Sequence, residues 1–400
     1  MWAFRSRTPG IGGRIKEAPE DFVVEEITRE GKVLEEGKRV KKNGSGEFTR
    51  FVLQKRNWNT EQALAEMARR LGVGRRRFSC AGTKDRVAVS TQLCSVWGVE
   101  PEKLVGMRLK DIDILGAWKG EKVGVGELLG NRFRIVVRGT GKNALEKTRA
   151  IDDELGGLFP NYFGAQRFGA LRGNTHLVGR ELVKGNLRAA VLNYLCFQGE
   201  EEDAAAREAR KTLSAENDFA RALSYFPRHL KYERALLHRL ASNPRDWAGA
   251  LRALPRGLLL MFVHAYQAWL FNLALSQRIS EGEVRREGGE YFCGEGSMGF
   301  PEIEKKSARG KFIVGKVIGF DTKPNEREKS ILEQEGVGAA DFRIRSLPEA
   351  SSRGARRVVL APYTGFAAEE GKGMVEFRFS LPAGCYATSL LREFMSEEKA

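Results

Sequence analysis

The chain is poor in the residues from which many sites are built. Its 400 residues hold five cysteines (Cys80, Cys94, Cys196, Cys293 and Cys385) and four histidines (His176, His229, His238 and His264). The cysteines are odd in number, widely spread and never in a CxxC pair. That argues against a disulfide framework and a structural zinc site, and it suits a reducing cytoplasm. The histidines make no HxxxH or HExxH spacing, so no metal centre is expected. The opening MWAFRSRTPGIGGRIK lacks an apolar stretch long enough for a signal-peptide core. No repeat of fixed period and no low-complexity run occurs. Gly139-Thr140-Gly141-Lys142 ends like a phosphate-binding loop, but Val136 stands where glycine is needed and Asn143 replaces Ser/Thr. Gly124-Val125-Gly126 with Gly130 misses the GxGxxG spacing by one residue and opens no helix. A bound nucleotide is therefore not expected.

Long apolar runs are absent too, with one exception. Leu258 to Leu275 reads LLLMFVHAYQAWLFNLAL, about the length a bilayer needs. His264, Gln267 and Asn272 interrupt it and basic residues close both ends, so a buried helix of a large domain is the better reading and no membrane partner is expected.

What is abundant is charge. Hydrophobic residues are 42% and charged residues 30%, which allows real cores and excludes wholesale disorder. The length allows up to about three domains. Lys and Arg number 67 against 52 Asp and Glu, a net 67 − 52 = +15. A field of that sign gathers polyanions, nucleic acid first, although a generally charge-rich basic enzyme would look the same.

Two textures alternate along the chain. Strand character marks residues 21–27 and 50–54, and Asn59 with Gln62 resembles a helix start. Ala63, Leu64, Met67 and Leu71 then form one stripe that Gly72 is placed to end. In NRFRIVVR, Phe133, Ile135 and Val137 alternate with arginines, which predicts a half-buried strand with a basic outer face. Between about 158 and 357 helical patterns dominate: 200–213, 247–254 and the helix from 258, followed by a strand at 311–314. Beyond Arg357 the first texture returns, with MVEFRFSL at 374–381 alternating cleanly. A β-rich domain at 1–157 and 358–400, interrupted by a more helical insertion at 158–357, accounts for both.

Asp85 stands between Lys84 and Arg86, just after a glycine and a threonine. A carboxylate flanked by cations stays ionised and could act as nucleophile or base; on spacing alone, a solvated loop aspartate paired with its neighbours is the commoner case. Pro160 to Gly169, PNYFGAQRFG, mixes aromatics, glycines and Arg167, which suits either base stacking or a tight turn over a small aromatic core. Arg69, Arg70, Arg75, Arg76 and Arg77 form a cluster that is a solvated face or a hold on a phosphate backbone.

Taken together, these segments resemble the TruD family of tRNA pseudouridine synthases. The resemblance rests on KEAPEDFVVEE at 16–26, Lys55-Arg56-Asn57 with Thr60, AGTKD at 81–85, GNRF at 130–133, the Pro160–Gly169 block, and LPAGCYATS at 381–389 with Arg392-Glu393. It implies an α+β fold: a pseudouridine-synthase-type catalytic domain with a curved antiparallel sheet, interrupted by an inserted α/β TRUD domain. It implies conversion of uridine 13 of tRNA to pseudouridine without cofactor or metal, in the cytoplasm, by an enzyme reading tRNA without a guide RNA. The family's catalytic aspartate falls on Asp85, with Lys16 as first choice of cationic partner and Lys84 as second. Its uridine-site phenylalanine falls on Phe22, its site asparagine on Asn131, and a third aromatic, usually phenylalanine, on Tyr386. Phe22 and Tyr386 would sandwich the freed base while Asn131 holds its polar edge; Arg75, Arg76, Arg77 and Arg167 would contact RNA.

Two other classes are open. An RNA-binding or RNA-folding protein could keep the scaffold without activity, against which stand Asp85, Phe22 and Asn131 together. An unrelated methyltransferase or nuclease would need the cofactor loop or metal ligands that the sequence lacks.

Overall fold

The computed structural model describes residues 2–169, 171–282 and 284–397. The chain divides into two compact units: a sheet unit of Phe4–Asn161, Glu295–Glu302 and Leu360–Ala400, and a helical unit of Met1–Ala3, Tyr162–Gly294 and Ile303–Val359. In chain order the sheet unit supplies β1 (Phe22–Ile27), β2 (Phe48–Arg56), α1 (Thr60–Leu71), β3 (Phe78–Cys80), β4 (Val89–Trp97), α2 (Pro101–Val105), β5 (Ile112–Gly120), β6 (Gly130–Arg138), α3 (Ala144–Leu155) and β7 (Leu158–Pro160). The helical unit follows with α4 (Thr175–Val183), α5 (Leu187–Cys196), α6 (Ala204–Glu216), α7 (Phe219–Tyr225), α8 (Lys231–Ser242), α9 (Trp247–Arg252) and α10 (Arg256–Ser280). The chain continues through β8 (Tyr291–Glu295) and β9 (Pro301–Ser307), between which Glu295–Glu302 is assigned to the sheet unit, and then through β10 (Phe312–Val317), α11 (Glu326–Glu335) and β11 (Ala355–Val358) of the helical unit. The chain then returns to the sheet unit as β12 (Leu360–Pro362), β13 (Thr364–Gly371), β14 (Met374–Pro382) and α12 (Ala387–Met395).

The large sheet runs β13-β14-β6-β1-β4-β2-β5, with β3 on β4. Every pairing in it is antiparallel except β1 with β4, which run parallel. Alternation works as expected in β6 and β14: Phe133, Ile135, Val137, Val375, Phe377 and Phe379 are buried. The outer face of β6 is not an open basic strip, however. Arg132 pairs with Glu25 at 2.6 Å, Arg134 with Glu36 at 3.2 Å and Arg138 with Asp21 at 2.7 Å. Carboxylates on β1 and in the segments flanking it take up the charge that β6 alone displays. In α1, Asn59 caps the first turn by accepting from the Glu61 N–H at 2.8 Å, and Gly72 ends the helix in the left-handed region at φ 68°. The Asn59 cap thus closes on the second helical residue, not on Gln62.

The two ends of the chain meet within this unit. Glu393 of α12 is fully buried and accepts hydrogen bonds from the Ser6 N–H (3.0 Å), the Ser6 hydroxyl (2.8 Å) and the Arg5 N–H (3.1 Å). Beyond it, the N–H groups of Gly10 and Ile11 reach the carbonyls of Ser396 and Phe394.

The helical unit buries a large core around α4, α5, α8 and α10. Gly179 of α4 lets the helices close up, since a Cβ there would lie 2.0 Å from the Phe262 carbonyl oxygen. By length and composition α10 is long and apolar enough to cross a bilayer, yet its buried polar residues Gln267, Asn272 and Arg278 are matched inside the unit. Asn272 exchanges two hydrogen bonds with the Phe163 backbone (2.9 and 3.0 Å), and buried Arg278 meets Glu290 at 2.7 Å. Buried polar groups with fixed partners belong to a protein core. Expected helix starts shift slightly: residues 200–203 form a turn and Asp203 caps α6.

Glu393→Ala removes the acceptor for two buried donors and one partly buried one, so it lowers unfolding stability by about 3 kcal/mol. Urea unfolding measures this; Glu393→Gln, which keeps one acceptor oxygen, loses less. An alanine variant as stable as the parent contradicts the account.

Candidate active site

The segment between β3 and β4, residues 81–88, carries Asp85, and three lysines surround it. Lys16 reaches the carboxylate, with Nζ 2.6 Å from Asp85 Oδ2, both side chains partly open to solvent. Its own backbone sits in the left-handed region at φ 63°, a conformation costing a non-glycine residue about 1 kcal/mol or more. Lys55 of β2 donates to the Asp85 backbone carbonyl at 2.8 Å. Lys84 turns away from its neighbour, to Glu26 Oε2 at 2.9 Å and Asn131 Oδ1 at 2.8 Å. Of the two lysines weighed as partner of Asp85, Lys16 makes the contact and Lys84 does not. Arg86 points into solvent.

The strand register explains why these residues converge. Glu26 of β1 lies opposite Asn131 of β6, and Asn131 lies opposite Leu381 of β14. Gly130 precedes Asn131 because a Cβ there would stand 2.3 Å from the Leu381 carbonyl oxygen. The chain leaves β14 through a turn whose Ala383 N–H bonds the Leu129 carbonyl, and Tyr386 then opens α12, half-buried. The segment 81–88 is held by more than lysines. Thr60 Oγ1 accepts from the Lys84 N–H (3.0 Å) and meets Gln92 Oε1 (3.0 Å), and Gln92 Nε2 donates to the Gly82 carbonyl (3.0 Å).

Phe22 is only 2% exposed. The Lys16 ammonium lies 4.2 Å from its ring centroid, a cation–π contact, and its edge meets Phe133 at 6.2 Å. One face of the ring expected to stack on a base is thus covered by Lys16. Among the expected RNA contacts, Arg75 is engaged by Glu61 (2.7 Å) and the Phe78 carbonyl (3.0 Å), whereas Arg76 is exposed and Arg77 lies over the exposed Trp97 ring. Arg167 belongs to the helical unit, where it lies 5.8 Å from the Phe163 ring centroid.

The sequence analysis gave no site role to Glu26, Lys55, Thr60 or Gln92, although the first three stand in its matched blocks. A signal existed for Lys55: Thr49, Phe51, Leu53 and Lys55 share one parity in β2, and all are buried, so a lysine continues an apolar face. Burial pushes the Lys55 ammonium down to about 8, helped by the charge of Lys84 and opposed by the carboxylate of Asp85. A lysine whose folded pKa lies below its unfolded value costs stability while charged, and that cost is relieved as pH rises from about 8 toward about 10.5. Lys55→Met removes this relief. Urea unfolding at pH 7 and pH 10 therefore shows the parent gaining stability relative to the variant at the higher pH; parallel curves contradict the assignment.

Comparisons with known proteins bear on the fold and the family. The crystal structure of a TruD protein from Methanosarcina mazei superposes with a TM-score of 0.78 at 33% identity, covering 99% of this chain and 97% of that one. The fold is therefore that of the pseudouridine synthases of this type, a mixed α+β architecture built on a curled antiparallel sheet. A protein-family model described as tRNA pseudouridine synthase D (TruD) matches residues 1–394. A relative of that name from Thermococcus onnurineus is 38% identical, with 99% of this chain and 98% of the relative covered. One from Methanosarcina mazei is 36% identical over 98% and 95%, and one from Methanopyrus kandleri 40% over 89% and 87%. The chain belongs to the TruD family of tRNA pseudouridine synthases, isomerases that act on tRNA.

Proposed function

We propose that this protein isomerises uridine 13 of tRNA to pseudouridine in the cytoplasm, without cofactor or metal, and that Asp85 is the catalytic carboxylate. The observation that carries the reading is the partly open ion pair of Lys16 and Asp85 at 2.6 Å, on a loop fastened from β2, α1 and β4. The reaction is balanced within the nucleoside. The C1′–N1 bond breaks and a C1′–C5 bond forms, C5 loses a proton and N1 gains one, and nothing is oxidised or reduced. Asp85 acts at the sugar, as nucleophile or as base toward a glycal-like intermediate, with Lys16 holding its charge in place. Phe22 and Tyr386 flank the freed base, and Asn131 bonds its polar edge. Turning a base out of folded tRNA costs a few kcal/mol. Contacts to the backbone by Arg75, Arg76, Arg77 and Arg167, the last within the insertion at 158–357, offset this cost.

The test is incubation of the purified protein with unmodified tRNA transcripts in chelator, followed by position-resolved mapping of pseudouridine. Product appears at uridine 13 and is lost with Asp85→Ala, while tRNA affinity changes less than about threefold. Product from the Asp85→Ala variant sinks the assignment of Asp85. Tight binding with no product on several tRNAs favours an RNA-binding protein that has lost activity.

A further inference from the structure

The amide of Asn131 has one orientation open to it. The Lys84 ammonium sits between Asn131 and Glu26, which face each other across β1 and β6. An ammonium only donates hydrogen bonds, so the atom it meets is the amide oxygen, and Nδ2 is turned elsewhere. Lys84 has little room to yield. Its side chain is 6% exposed and that of Glu26 0%, and Glu26 Oε1 already accepts the Leu93 N–H at 3.0 Å. Its backbone N–H is held by Thr60, which Gln92 holds in turn. A buried glutamate with one oxygen committed to the sheet keeps the ammonium where it is, because either charge left alone in that place is costly.

We infer that Lys84 is a positioning residue that locks Asn131 as an obligate hydrogen-bond donor, and that this lock selects a base offering a carbonyl at that point both before and after it turns. The inference rests on the placement of Asn131 at the base edge proposed above. A half-turn of uracil about its N3–C6 axis exchanges N1 with C5 and O2 with O4. A carbonyl oxygen therefore replaces a carbonyl oxygen, and one fixed donor serves both ends of the rotation. Cytosine carries an amino group at C4, so in one of its two orientations N–H would face N–H. An unrestrained asparagine would flip its amide to suit either base; one clamped by an ammonium does not. A polar group buried against the wrong partner is what makes such discrimination large.

The experiment compares the parent with Lys84→Met, Asn131→Ala and the double variant, on tRNA transcripts bearing uridine or cytidine at the target position. Lys84→Met lowers kcat for pseudouridine formation about 10- to 100-fold, with KM for tRNA within about twofold. The double variant is no slower than Asn131→Ala within about threefold, because both changes remove one device. The preference of the parent for binding uridine tRNA over cytidine tRNA shrinks about tenfold in Lys84→Met. If the two losses multiply in the double variant, or the preference is unchanged, Lys84 serves stability alone and the inference fails. Should Lys84→Met not fold, Glu26→Gln with Lys84→Met removes the unpaired charge, keeps an acceptor for Leu93, and carries the same expectations. A parent protein that makes no pseudouridine overturns the function itself, and the lock with it; an active parent with multiplying losses overturns only the lock.

Discussion

The sheet unit depends on how it accommodates three ammonium groups around one short loop. A lysine is expensive to bury, and Lys55 and Lys84 are both nearly or wholly withdrawn from water. Each has a different solution. Lys84 meets a buried glutamate and an amide, Lys55 a backbone carbonyl, and Lys16 the carboxylate of Asp85 at the surface. Because the lysines and their partners come from β1, β2, β6 and the loop itself, satisfying the charges also fixes the spacing of those elements. The loop cannot shift without stranding a charge, which gives Asp85 a constant position.

The same rule of matched polar groups shapes the rest of the molecule. Arg210 is 1% exposed in the helical unit, bonded at 2.8 Å to both Glu202 and Glu233. Arg138 ties the end of β6 to Asp21, just ahead of β1. Much of the charge that makes the sequence look like a basic surface is thus spent inside or across strands. The net excess that remains is a long-range field over the whole chain, and not one strip on β6.

Elements with strong periodicity are legible in the amino-acid sequence itself. The Ala63, Leu64 and Met67 stripe, the glycine stop at Gly72 and the alternation in β6 and β14 each report a local preference that packing reinforces. The long apolar stretch is legible as a buried helix because Gln267 and Asn272 require partners, and the structure supplies them in Ile318, Ser352 and Phe163. Boundaries are less so. Residues 200–203 have helical composition, but Asp203 accepts from the Ala206 N–H and starts the helix there. Asn59 likewise satisfies a different donor from the one a capping-box pattern suggests, since the pattern names residues and not the backbone angle that aims them.

By itself the sequence determined the segments, their periodicities and the block resemblance that singled out Asp85, Phe22, Asn131 and Tyr386. It did not determine which cation serves Asp85. Lys84 and Arg86 adjoin it in the chain, yet the partner is Lys16, 69 residues earlier. Sequence adjacency does not fix side-chain direction in a loop, and here the buried carboxylate of Glu26 draws Lys84 inward. Which distant residues then meet is set by strand register: Glu26 opposite Asn131, and Asn131 opposite Leu381. Register is a property of long-range pairing, where a slip of one residue would turn every side chain to the other face, so only the tertiary structure could decide it.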